Sequence, residues 1–166
     1  MEANSPNNLC LECGFCCNGV IFADVKLQRG DDASRLRTLG LAISANRFRQ
    51  PCVAWRDCRC SIYDQRPEYC RQFECLLLKN VQEGRVTFPR ASHIIGSAKS
   101  QVENVMRLLR ALGNNDEALS LKARFQQITK LLETETSNDE IASLYSELTL
   151  AYHDLNQLLR ESFYDG

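Results

Sequence analysis

The chain has 166 residues, 44% of them hydrophobic and 25% charged, which suits one compact domain or a small domain with an extension and excludes a disordered or fibrous chain. A net charge of −1 provides no electrostatic footprint for nucleic acid or an anionic membrane, so neither is expected as a partner. No apolar run approaches the roughly 18 residues of a membrane span, the longest candidate being Leu76–Leu78, and the polar stretch from Met1 to Asn8 lacks the apolar segment of a secretory signal.

In chain order the first feature is a cysteine run, Cys10-Leu-Glu-Cys13-Gly-Phe-Cys16-Cys17. Gly14 suits the tight turn inside it, because glycine takes positive φ freely, and Asn18-Gly19 turns the chain away. Val20–Val25 reads as a short strand, and Asp31–Leu39 as a short helix closing at Gly40. A second cysteine group, Cys52, Cys58, Cys60, Cys70 and Cys75, follows at wider spacing, which suits donors from a turn and then a helix. Pro67 fits the first turn of a helix through about Lys79, with Gly84 beyond its end, and Arg85–Phe88 reads as extended.

The sequence changes character near Gly96: all nine cysteines and all four prolines precede it, and the apolar residues after it fall into helical period. Val102, Val105, Met106, Leu109 and Leu112 form one stripe, ended by Gly113. Leu121, Phe125, Ile128 and Leu132 form a second, entered from the capping-type run Asn114–Glu117. The third is the strongest: Ser137 and Glu140 form a capping box ahead of Ile141, Leu144, Tyr145, Leu148, Tyr152, Leu155 and Leu159. Three amphipathic helices joined by short polar turns make a small bundle or hairpin.

Nine cysteines without a signal peptide argue against a secreted disulfide framework, and dense thiols in a reducing cytoplasm more often ligate metal. Two-residue gaps let the backbone wrap a centre so that successive sulfurs converge on it, as in cubane iron–sulfur runs completed by a remote cysteine. Adjacent cysteines do not easily reach one ion, so Cys16 and Cys17 are expected to have separate tasks. Together the two groups bring enough thiolates for one tetracysteine centre, with several left over. Neither group has zinc-finger histidines; of the two histidines, His93 and His153, His93 lacks the neighbouring donors that accompany histidine ligands. Arg66 and Arg71 are candidates to offset cluster charge or to form surface ion pairs.

These residues resemble the bacterial family of zinc- or iron-chelating domains named for a CxxCxxCC motif. Cys10, Cys13, Cys16 and Cys17 reproduce that signature, and Cys52 and Cys60 fit its middle cysteines. Cys60-Ser-Ile-Tyr63, Arg66-Pro67 and Cys70-Arg71 reproduce its C-x-I-Y, R-P and C-R stretch, with Cys75 as the last cysteine. The resemblance covers about residues 9–80 and leaves out Cys58 and the C-terminal helices. It implies a metal site drawn from Cys10, Cys13, Cys16, Cys17, Cys52, Cys60, Cys70 and Cys75. The cysteine-rich module of flagellin lysine-N-methylase is similar, which leans the metal toward a [4Fe–4S] cluster, with zinc the alternative.

The expected fold is mainly α: a cysteine-rich, metal-centred module with few short strands over residues 1–96, and a helical segment over 97–166 packed on it. The expected function is cytoplasmic metal binding through thiolates. The alternatives are a lysine N-methyltransferase-like enzyme, against which stands the lack of an S-adenosylmethionine fingerprint, and an interaction protein with a structural zinc whose C-terminal helices dock a protein partner.

Overall fold

The computed structural model describes residues 6–134 and 138–164. The fold is mainly helical. Helix α1 (Pro6–Cys13) leads into three short antiparallel strands, β1 (Asp24–Lys26), β2 (Ile43–Ser44) and β3 (Arg47–Arg49), with helix α2 (Ala33–Thr38) between the first two. A hairpin of β4 (Trp55–Arg56) and β5 (Arg59–Cys60) follows, then a 3-10 turn at Tyr63–Gln65 and helices α3 (Glu68–Gln72) and α4 (Leu76–Gln82). Three longer helices complete the chain: α5 (Phe88–Ala111), α6 (Leu121–Thr134) and α7 (Asp139–Ser162).

The long helices form where apolar periodicity demanded them. Ala91, Ile95, Ala98, Val105, Leu108 and Leu109 bury one stripe of α5, and Leu148, Leu155 and Leu159 bury the facing stripe of α7. Gly113, at φ +87°, closes the chain after α5. Helix α5 begins at Phe88, with Pro89 in its first turn, so Gly96 lies inside it. Arg85–Phe88 is therefore a turn into the helix rather than an extended piece: Gly84 closes α4 at φ +73°, and the Val86 amide donates to the Asn80 carbonyl at 3.1 Å. Ser137 lies outside the described residues; the N-cap of α7 is Asn138, whose side chain accepts from the Ile141 amide at 2.9 Å.

Two other local expectations are corrected. The strand expected over residues 20–25 forms at Asp24–Lys26, where Val25 pairs with Phe48. Ile21 is drawn into tertiary bonds instead, its amide donating to the Phe15 carbonyl and its carbonyl accepting from the Tyr164 hydroxyl. The helix expected from Pro67 to Lys79 is broken at Phe73–Cys75, where Phe73 and Cys75 adopt extended backbone. The break sends the Phe73 ring against Phe22 (4.9 Å, edge-on) and lets the Leu76 amide donate to the Phe163 carbonyl at 3.1 Å.

Burial divides into two cores. The larger joins Leu9, Phe15, Leu77 and Leu78 to the buried stripes of α5, α6 and α7 and to Phe163, so α1 and α4 dock on the long helices. The smaller gathers Val25, Leu27, Leu36, Leu41, Phe48, Ala54 and Ile62 under the three-stranded sheet and the hairpin.

Candidate metal centre

The N-terminal cysteine run straddles a helix end. Cys10 and Cys13 lie in α1, one turn apart on the same face, and the chain then leaves the helix through Gly14, at φ +74°. The Cys17 amide donates to the Gly14 carbonyl at 2.9 Å, folding Cys16 and Cys17 back beside α1. The Asn18 side chain accepts from the Val20 amide, and Gly19, at φ +85°, accepts from the Leu121 amide, so the turn is pinned to the start of α6. The Cys17 carbonyl accepts from the Cys52 amide at 2.8 Å, which joins the first cysteine group to the second through the backbone.

The remaining cysteines arrive on separate elements. Cys52 precedes the β4–β5 hairpin, Cys60 ends β5, Cys70 lies in α3, and Cys75 sits at the N-cap of α4 after the helix break. Asp57 and Cys58 form the hairpin's two-residue tip, both at positive φ (48° and 59°), the backbone that a tight hairpin turn requires. Cys58 is exposed there and lines neither of the cavities described next.

The eight other thiols stand around two adjoining cavities. One, of about 50 Å³, has Cys10, Cys13, Cys16 and Cys75 in its wall. The other, of about 110 Å³, is lined by Cys17, Cys52, Cys60 and Cys70, with Cys10 and Cys16 at its border with the first. The Cys16 and Cys17 sulfurs lie 3.7 Å apart. His93 and His153 are exposed on α5 and α7 and line neither cavity. Arg66 lines the larger cavity, its guanidinium 3.6 Å from the Tyr63 ring centroid, whereas Arg71 is exposed away from both.

The surroundings keep most of these sulfurs protonated. Burial pushes Cys70 up to about 12 and holds Cys13, Cys52 and Cys75 above the ordinary thiol range. Cys10, an exposed residue whose sulfur faces the cavities, is pushed up to about 11 by desolvation and then by Cys16. Neighbouring thiols add to these shifts, while the Arg66 cation opposes them at Cys10 and Cys70. Cys16 and Cys17 behave as a pair: the hydrogen bond with Cys17 holds Cys16 down, and the same contact, with burial, drives Cys17 up. A metal core entering such walls displaces the protons and relieves the cost of burying thiolates.

Donor chemistry and spacing both bear on what fits. An all-sulfur donor set is soft and suits zinc or iron–sulfur clusters rather than magnesium or calcium. A single tetrahedral zinc, with zinc–sulfur bonds of about 2.3 Å, draws its sulfurs to within roughly 3.8 Å of one another. Among the described residues no three His, Cys, Asp or Glu side chains are gathered so as to grip a single ion. The thiols instead ring spaces of about 50 and 110 Å³, beyond the roughly 10–15 Å³ that one water needs. Gln50, which sequence reasoning passed over, stands in the wall of the larger cavity with its side-chain oxygen buried and without a hydrogen-bond partner. Only an exposed-looking polar residue before a proline marked it in the sequence, and that is no signal of a site. The residues present fit a metal–sulfur core.

A family model described as "Putative zinc- or iron-chelating domain", with the CxxCxxCC motif, matches residues 9–91. No curated protein and no solved structure matches the chain.

Proposed function

The chain belongs to the CxxCxxCC family of zinc- or iron-chelating domains, and from that premise we propose that it holds iron–sulfur of the [4Fe–4S] type through cysteine thiolates in its N-terminal half. The observation that carries this reading is the arrangement of the sulfurs, which border cavities rather than converge on a point. The ligands come from Cys10, Cys13, Cys16, Cys17, Cys52, Cys60, Cys70 and Cys75. A [4Fe–4S] core supplies one-electron redox chemistry or a purely structural anchor, according to its exposure and potential.

The chain's own residues do the rest. Leu9, Leu77, Ile95 and Phe163 keep the smaller cavity dry, and Phe48, Ile62 and Phe73 do the same for the larger, which strengthens every electrostatic interaction at the sulfurs. Arg66 offsets negative charge, since four thiolates on a [4Fe–4S]²⁺ core leave −2. Such a site persists in a reducing compartment, so we place the protein in the cytoplasm.

Protein purified without oxygen tests the reading. It should be brown, bleach on chemical reduction, and release iron together with acid-labile sulfide. Colourless protein carrying zinc and no sulfide would replace the cluster by a structural zinc.

A further inference from the structure

Cys16 and Cys17 are neighbours in sequence, yet each keeps different company. Cys13 and Cys75 border only the smaller cavity, whereas Cys17, Cys52, Cys60 and Cys70 border only the larger. The division repeats in the packing: Cys13 and Cys75 lie against the core built on α5 and α7, and Cys52, Cys60 and Cys70 lie against the separate core under the small sheet. Cys10 and Cys16 stand on the border of both cavities, and helix geometry assigns them. Cys10 shares a face of α1 with Cys13, and Cys16 completes the Cys-x2-Cys-x2-Cys run, the spacing that feeds one cubane.

We propose that the chain carries two four-cysteine metal centres side by side, Cys10, Cys13, Cys16 and Cys75 holding one and Cys17, Cys52, Cys60 and Cys70 holding the other. This deepens the metal-binding reading and rests on it. The dipeptide Cys16–Cys17, with its sulfurs 3.7 Å apart, is the junction at which one residue serves each centre. A cysteine run that feeds two clusters has precedent in two-cluster ferredoxins, where the last cysteine of a contiguous run ligates the other cluster. The broken helix has the same logic. An unbroken helix would fix Cys70 and Cys75 on one rigid rod, and the extended Phe73–Cys75 segment instead turns them toward different cavities. The arrangement uses all eight sulfurs and leaves only Cys58, at the exposed hairpin tip, outside both sets.

Metal content per folded chain tests the partition. Alanine replaces the sulfur with no oxygen that could stand in for it, and circular dichroism shows whether the α5–α7 helices remain. Two centres predict eight irons and eight sulfides per native chain on the [4Fe–4S] reading. Cys13→Ala and Cys70→Ala should each keep about half of the metal. The double variant Cys13→Ala/Cys75→Ala should lose no more than Cys13→Ala alone, whereas Cys13→Ala/Cys70→Ala should lose all of it. A native chain holding a single centre, or either single variant emptied while its helices persist, overturns the proposal. Two equivalents of zinc without sulfide, halved by the same single variants, would uphold the partition and refute the iron–sulfur reading. One [4Fe–4S] cluster per chain would do the reverse.

Discussion

Gly14 joins the two cysteine groups through a shape no other residue has. It sits at φ +74°, and a Cβ there would collide with the indole of Trp55, the first residue of β4. Gly40 supplies the control, since it is also at positive φ (+96°) but a Cβ there meets nothing within 4 Å. Both Gly→Ala changes carry the left-handed backbone cost of about 1–3 kcal/mol. Only Gly14→Ala should also push the hairpin bearing Cys60 away from the turn bearing Cys16 and Cys17. Thermal melts and metal analysis of both variants check this: Gly14→Ala should melt lower and lose metal, while Gly40→Ala melts lower and keeps it. Equal metal content in the two would show that the Gly14–Trp55 contact does not position the sulfurs.

Two other side chains give opposite expectations. Cys58, exposed at the hairpin tip, should be dispensable, so Cys58→Ser should retain the full metal content of the native chain. Arg66 should not be. Its cation faces Cys10, Cys16 and Cys70, and a nearby positive charge favours the more negative, reduced state of a cluster. Arg66→Gln should therefore lower the reduction potential, measured by redox titration of the visible absorption. An unchanged or higher potential would mean that the guanidinium is engaged only with the Tyr63 ring and the Tyr63 carbonyl.

At the scale of elements, the long helices were legible and the short ones only partly so. The stripes of α5, α6 and α7 repeat over three turns or more, so burial and propensity point the same way and Gly113 ends the first of them as expected. The break at Phe73–Cys75 had no such mark. Arg-Gln-Phe-Glu-Cys contains neither glycine nor proline, and what ends the helix is tertiary: the Phe73 ring against Phe22 and the Leu76 amide on the Phe163 carbonyl. The two cysteine groups were visible from their spacing, and the resemblance to the CxxCxxCC family set Cys58 apart. The sorting of the other eight into two cavities depends on which core each one meets, and sequence distance carries no record of that. Helices α5 and α7 also allow structure and metal to be separated. Leu148 is 0% exposed between them, so Leu148→Ala should cost about 2–5 kcal/mol in denaturant unfolding. The metal bound per folded chain should stay the same, because no thiol lies on either helix. Leu148 lines neither cavity, so metal loss without unfolding would show that the packing of α7 on α5 positions the sulfurs.

For the molecule as a whole, the two cores predict an order of loss when metal is removed. Helices α1 and α4 keep an apolar anchor, since Leu9, Leu77 and Leu78 dock on α5. The small sheet and hairpin have strands of only two or three residues and a core of seven side chains, too little buried surface to stand alone. Chelation should therefore strip amide protection first from residues 24–72, since α3 packs through Tyr69 and Cys70 on the smaller core, next from α1 and α4, and last from α5–α7, as followed by hydrogen exchange. Unchanged protection in β1–β5 after complete metal removal would show that the metal does not organise that part of the fold.

The most direct test of the central claim is X-ray absorption at the iron edge on protein purified and frozen without oxygen. Iron–sulfur held by cysteine thiolates predicts a first shell made of sulfur alone and a second shell of iron at the short spacing of a cluster. An edge with no iron signal above background, or iron surrounded by oxygen and nitrogen with no neighbouring iron, would contradict it.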